Sequence, residues 1–187
     1  MNLPNTLTLA RLGVTVFFVA SLSLVYPFHQ TVALLLFLAA TLTDYLDGVI
    51  ARKWNLITDF GKLMDPLADK VLTASAFICL IPFGALPAWA VIIIISREFL
   101  ITGLRLLASS KNIILPAEKL GKHKTAWQMT TIIYFLLLLA LREWTGGHTS
   151  LEAAWSAGRG LVGITVLLTV YSGLAYLYKN RALISAA

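Results

Sequence analysis

Four aspartates, Asp44, Asp47, Asp65 and Asp69, stand close together in a chain that is otherwise strongly apolar. On helices turning by roughly 100° per residue, Asp44, Asp47, Gly48 and Ala51 share one stripe, and Gly61, Asp65 and Asp69 share another. Carboxylates gathered in this way repel one another, and beside hydrocarbon they are costly unless paired, hydrated or metal-bound. A hard divalent cation with oxygen ligands keeps all four ionised at least cost. Gly48, Ala51 and Gly61 put almost no side chain beside the acids, so a bulky group could lie against the backbone there. Arg52 follows the first acid pair, and Lys62 and Lys70 flank the second. Acids, a cation, basic neighbours and close backbone approach suit a phosphate-bearing ligand whose oxygens the metal bridges. Asp59, between the two pairs, is expected to be solvated.

A second constellation is basic. Arg97 and Glu98 lie well inside an apolar segment, and Arg105 follows Glu98 on nearly the same helical face. Two readings compete. Glu98 and Arg105 could form a buried ion pair that only fixes helix packing. Alternatively, Arg97, Arg105 and Lys122 could cradle an anionic second substrate, since arginine grips phosphate bidentately and lysine acts as a point charge. Lys119 and Lys124 carry less weight, because a basic inner loop is also what membrane orientation demands. His29, His123 and His148 lack ligand-like spacing, so zinc is not expected. His123, between two lysines, is a candidate substrate contact. Met64, Met129 and the aromatics read as core or lipid-facing. Gly158, Gly160 and Gly163 would permit close helix packing, although they do not form GxxxG.

The elements that must position these groups are membrane helices. Of 187 residues, 58% are hydrophobic and 13% charged, against about 25% charged in soluble domains. No linker or low-complexity tract interrupts the apolar runs, so residues 1–187 are expected to form one membrane domain. Net charge is +6, but no basic patch is interleaved with aromatics, and nucleic acid is not an expected partner. The lone Cys79 reads as core packing. The N-terminus lacks a basic region and a small-residue cleavage site, so it is expected to be retained.

The fold class expected is all-α: an integral membrane protein of six transmembrane helices with a short N-terminal amphipathic segment over Met1 to Arg11. Spans are expected over about 7–26, 31–52, 61–81, 88–108, 125–141 and 161–178, each near the roughly 20 residues a bilayer requires. Lys53 to Asp59 reads as a loop and Pro66 as part of a helix's first turn. The basic residues set the orientation. With a cytoplasmic N-terminus, Arg11, Arg52, Lys53, Lys62, Lys111, Lys119, Lys122, Lys124, Lys179 and Arg181 all fall inside. The turns near 27–31 and 82–87 hold no Lys or Arg, and the next outer connection holds only Arg142 and Arg159. Both termini and the acidic stretch are therefore expected at the cytoplasmic face, with Trp54, Trp89, Trp144 and Trp155 as interface anchors.

The pattern Asp-x2-Asp-Gly-x2-Ala-Arg-x8-Gly-x3-Asp-x3-Asp, present here without a substitution, resembles the signature of the CDP-alcohol phosphotransferases. The similarity extends from the Asn2–Arg11 lead through Ser96–Arg105 to Gly121, Lys122, Lys124, Thr125 and Gln128. The resemblance implies transfer of the phosphatidyl group from CDP-diacylglycerol to sn-glycerol 3-phosphate, with CMP released. It implies Asp44, Asp47, Asp65 and Asp69 as ligands of Mg²⁺, or of Mn²⁺ in its place, and Asp69 as general base; spacing alone does not separate base from ligand. It further implies Gly48, Ala51, Arg52, Gly61, Asn5 and Thr8 at CDP-diacylglycerol, and Arg97, Arg105 and Lys122 at the acceptor's phosphate. By the same analogy the enzyme is a homodimer among membrane lipids, multi-pass in a bacterial cell membrane, with its site facing the cytoplasm. Within the family, inositol, inositol phosphate, serine or phosphatidylglycerol are alternative acceptors, of which the basic set favours a phosphorylated one. A cation transporter would place acids nearer the midplane, on broken helices in inverted repeats; here they cluster at one face and no repeat is visible.

Overall fold

The computed structural model describes residues 3–53, 59–110, 119–147 and 151–181. They form six α-helices: α1 Leu3–Ser23, α2 His29–Lys53, α3 Asp59–Leu80, α4 Ala88–Ser110, α5 Lys119–Trp144 and α6 Glu152–Lys179. No strand occurs among the described residues. The six elements match the expected ones in order, with several differences at their ends. The lead and first apolar segment make one helix, because Pro4 is tolerated in a first turn and no later Gly–Pro break interrupts it. Helix α3 opens at Asp59, a residue expected on sequence at the end of a loop. That earlier start puts Pro66 in the interior of α3 rather than its first turn. Helix α6 begins well before the apolar run, since Glu152 complements its N-terminus and the following alanines favour helix.

Helices α1, α2 and α3 pack as one group and α5 with α6 as another. Contacts of α2 and α3 with α5 join the two, and α4 packs chiefly against α6. The core is aromatic and aliphatic: Phe18 on α1 meets Phe37 on α2 at 5.7 Å between ring centroids, and Phe135 on α5 meets Trp155 on α6 at 5.3 Å. Gly158 is where α6 comes close to α5: a Cβ built there would lie 2.6 Å from Phe135 Cζ. Gly160 and Gly163 face open space by the same measure, so of the three glycines only Gly158 serves close packing. Cys79 is partly buried against the core, as expected.

The outer faces are apolar too. Phe17, Leu35, Ile92, Phe99, Leu167 and Leu174 are all exposed, a surface suited to hydrocarbon rather than water. Residues His123–Trp144 and Glu152–Lys179 are long and apolar enough to cross a membrane. Trp89 and Trp144 are exposed near helix ends, as interface anchors would be. Trp155 instead packs inward and donates to the Gly84 carbonyl at 3.3 Å.

The end of the bundle carrying the α1–α2 turn is tied by polar contacts. Glu143 accepts hydrogen bonds from the backbone N–H of Gln30 at 3.2 Å and of Thr31 at 2.9 Å, and from the Thr31 hydroxyl at 2.7 Å. Trp144 Nε1 donates to the same hydroxyl at 3.0 Å. The C-terminal end of α5 thereby caps the N-terminal end of α2, where backbone N–H groups lack partners within the helix.

Candidate active site

The defining positions of the acid motif fall on two helices. Asp44, Asp47, Gly48, Ala51 and Arg52 fall in the C-terminal half of α2, and Gly61, Asp65 and Asp69 in the N-terminal half of α3. The side chains of Asp47, Gly48, Ala51, Arg52, Gly61, Asp65, Asn5 and Lys122 lie outside the described residues. Asp44 and Asp69 are described, and the packing of α2 and α3 around α1 brings them into one electrostatic neighbourhood. Asp69 feels the charges of Asp44, Arg11, Glu98 and Lys124.

Arg11, on α1, pairs with Asp44, its Nη1 standing 2.6 Å from Asp44 Oδ1. Its side chain is 1% exposed and that of Asp44 46%. On sequence Arg11 marks only the end of the lead and the inner charge bias. Nothing local marks it, because its partner comes from the next helix. Thr8, one turn earlier on α1, is fully buried.

A cavity of about 470 Å³ opens beside Asp69. Its walls come from four helices: Asp69 and Lys70 of α3, Arg97, Glu98, Thr102 and Arg105 of α4, Lys124 of α5, and Ser172 and Tyr176 of α6. Arg97 and Arg105 thus line the same cavity as Asp69. The proposed Glu98–Arg105 ion pair is not the arrangement found. Glu98 Oε1 accepts from Lys124 Nζ and, at 3.5 Å, from Arg97 Nη1. Arg105 turns to α6 instead: its Nε donates to the Tyr176 hydroxyl at 3.3 Å, and its guanidinium carbon is 5.5 Å from that ring's centroid. The two-turn spacing of Glu98 and Arg105 allows a shared face but does not outrank partners supplied by neighbouring helices.

Lys124, given less weight than Lys122 on sequence, is 3% exposed and paired with Glu98 inside the cavity. A lysine that merely satisfied the charge bias of an inner loop would be solvated. His123 is exposed and does not line the cavity. Lys70 is held by the Thr102 hydroxyl. Helix α6 contributes groups the sequence reading missed. Ser172 Oγ accepts from Arg97 Nη2 at 3.2 Å, and Gly173 leaves room for the Arg97 stem, since a Cβ there would lie 3.0 Å from Arg97 Cγ. Ser, Gly and Tyr in an apolar helix give no local signal of this role.

The donor set fits a hard divalent cation. Among the described residues the Arg11 contact uses one oxygen of Asp44, and Asp69 comes from a different helix, α3. No group of three potential metal ligands assembles among the described residues, which include only these two of the four motif acids.

Sequence comparison agrees with this geometry. The model of the CDP-alcohol phosphatidyltransferase family matches residues 1–172. The chain is 38% identical over 191 residues to the CDP-diacylglycerol–glycerol-3-phosphate 3-phosphatidyltransferase of Bacillus subtilis (strain 168), covering 96% of this chain and 95% of that protein. It is 37% identical over 170 residues to the Mycoplasma pneumoniae protein of the same name, covering 80% of this chain and 75% of that one. It is also 36% identical over 181 residues to a probable phosphatidylglycerophosphate synthase of Mycobacterium tuberculosis, covering 95% and 81%. An intact acid signature and a match along nearly the whole chain give one conclusion: this protein belongs to the CDP-alcohol phosphatidyltransferase family.

Proposed function

We propose that this protein transfers the phosphatidyl group of CDP-diacylglycerol to sn-glycerol 3-phosphate, yielding phosphatidylglycerol phosphate and CMP. One observation carries the reading: Asp69, from the acid motif, shares a single cavity with Arg97, Arg105 and Lys124. A carboxylate able to take a proton thus stands beside cations able to hold a second phosphate. The names of the relatives from Bacillus subtilis and Mycoplasma pneumoniae support the same acceptor.

In this reading Asp44, Asp47, Asp65 and Asp69 hold Mg²⁺, or Mn²⁺ in its place. The bound cation supplies Lewis-acid stabilisation of charge on the CDP-diacylglycerol diphosphate. Gly48, Ala51 and Gly61 leave space for the cytidine diphosphate, and Arg52, Asn5 and Thr8 contact it. Arg97, Arg105 and Lys122 hold the acceptor's phosphate. The free primary hydroxyl of glycerol 3-phosphate attacks the phosphatidyl phosphorus. A new O–P bond forms as the O–P bond to CMP breaks, CMP leaves with the electron pair, and Asp69 takes the hydroxyl proton. All six helices cross the membrane as a single domain, with the site at the cytoplasmic face, and the enzyme works as a homodimer. The apolar outer faces and the one-sided distribution of Lys and Arg support this arrangement.

The deciding assay is CMP release from CDP-diacylglycerol by purified protein, with glycerol 3-phosphate, inositol phosphate, inositol, serine and phosphatidylglycerol each supplied singly. Release only with glycerol 3-phosphate is expected. Release with another acceptor and not with this one refutes the assignment.

A further inference from the structure

We infer that Glu98 determines acceptor specificity, its second carboxylate oxygen accepting a hydrogen bond from the acceptor hydroxyl that does not react. The inference deepens the reading above and rests on it. Glu98 lines the cavity with Asp69. Among the described residues its ion-pair contacts, from Lys124 and Arg97, fall on Oε1. Oε2 makes no hydrogen bond among the described residues. Among the described residues the carboxylate is therefore anchored through one oxygen, and the other is open to a ligand.

The charges in the cavity say what kind of group that is. A phosphate against Glu98 would meet a like charge, which is destabilising at such range. The phosphate belongs instead with the guanidinium groups braced by α6, where Ser172 and Tyr176 hold Arg97 and Arg105. What fits beside Oε2 is a neutral hydrogen-bond donor, and a hydroxyl is one. Glycerol 3-phosphate carries two free hydroxyls, and among the described residues the cavity presents two carboxylates from different helices, Asp69 on α3 and Glu98 on α4. Asp69 receives the proton of the attacking primary hydroxyl, and Glu98 holds the secondary one. The pair thereby selects acceptors with a hydroxyl next to the reacting carbon and fixes which oxygen attacks.

The test compares sn-glycerol 3-phosphate with 3-hydroxypropyl phosphate, which keeps the phosphate and the primary hydroxyl and lacks only the secondary one. Losing a hydrogen bond to a buried charged acceptor should make wild-type kcat/KM favour glycerol 3-phosphate by roughly ten- to a hundredfold. In Glu98→Gln, the amide carbonyl replaces Oε1 toward Lys124 and Arg97, and the amide NH2 replaces Oε2, so the secondary hydroxyl loses its charged acceptor and keeps at most a weaker neutral bond from NH2 to its oxygen. The preference should then fall to within about fivefold, with CDP-diacylglycerol affinity retained as the measure of intact folding. A wild-type ratio within about threefold overturns the inference with no variant needed. So does a Glu98→Gln enzyme that keeps the wild-type ratio while both kcat/KM values fall together, the behaviour of a residue that only positions Lys124 and Arg97. If wild-type protein turns over neither phosphate but uses another acceptor, the functional reading itself fails, and the inference falls with it.

Discussion

Gly173→Ala tests whether α6 sets the acceptor site. The added methyl would lie 3.0 Å from Arg97 Cγ, 3.7 Å from Nε and 3.9 Å from Cδ. Carbon atoms settle at about 3.5–4.0 Å, so Arg97 must retreat by roughly half an ångström. The atom struck is near the root of the side chain, so the head cannot stay put while the stem flexes. The head is already loosely held, with Nη2 3.2 Å from Ser172 Oγ and Nη1 3.5 Å from Glu98 Oε1. A shift of that size carries at least one contact beyond hydrogen-bond range. Loss of one charge-assisted contact is worth roughly 1.5 kcal/mol, about tenfold in acceptor KM. Stability should move the other way, because Ala is favoured over Gly inside a helix by about 0.5–1 kcal/mol. The expected result is a raised KM for glycerol 3-phosphate, unchanged CDP-diacylglycerol affinity and an equal or higher Tm in detergent. Gly163→Ala, with open space at its Cβ, is the control and should leave KM alone. An unchanged acceptor KM in Gly173→Ala would refute the claim that α6 positions Arg97.

Asp69→Asn, whose amide oxygen can still ligate the cation but is no base, should abolish CMP release while leaving CDP-diacylglycerol binding largely intact in an equilibrium assay; equal loss of both would remove Asp69 from the role of base. Gly158→Ala drives a methyl to 2.6 Å from the buried Phe135 ring and should cost about 1–3 kcal/mol by overpacking. Its signature is a lowered Tm with acceptor KM unchanged, the reverse of Gly173→Ala. Excess EDTA should stop turnover and added Mg²⁺ should restore it; full activity after chelation and dialysis would exclude a carboxylate-bound cation. In a Cys79→Ala background, cysteines placed at Asn55 and Lys119 should react with impermeant thiol reagents only from the cytoplasmic side, and labelling from outside would invert the topology.

What the sequence made legible was local. The acid motif could be read because its spacing repeats on a helix and because carboxylates are conspicuous among apolar residues. The number and order of helices followed from hydrophobic runs, but α6 was begun too late: Glu152–Gly160 is small and partly polar, so a hydropathy criterion passes over a stretch that helix propensity and the contact with Phe135 include. What stayed hidden was set by packing between helices. Arg11 finds Asp44 across the α1–α2 contact, and Lys124 finds Glu98 from another helix. Neither pairing has a signature along the chain. Arg105 shows the same limit: its helical phase matches Glu98, yet Tyr176 supplies a ring and a hydroxyl, and the phase alone does not choose between them.

The Glu143 clasp has a mechanical consequence for the chemistry at the other end of the bundle. Helix α2 is held at Thr31 and carries Asp44 roughly 20 Å further along its axis, at 1.5 Å per residue. A rod pivoting at one end magnifies any error in its angle, and over that length a tilt of about 3° moves Asp44 by about 1 Å. Misplacement by that distance can cost on the order of a hundredfold in rate. Three hydrogen bonds to a single carboxylate fix the pivot, so the pointing accuracy of the acid motif depends on a contact on the far side of the molecule from the reaction.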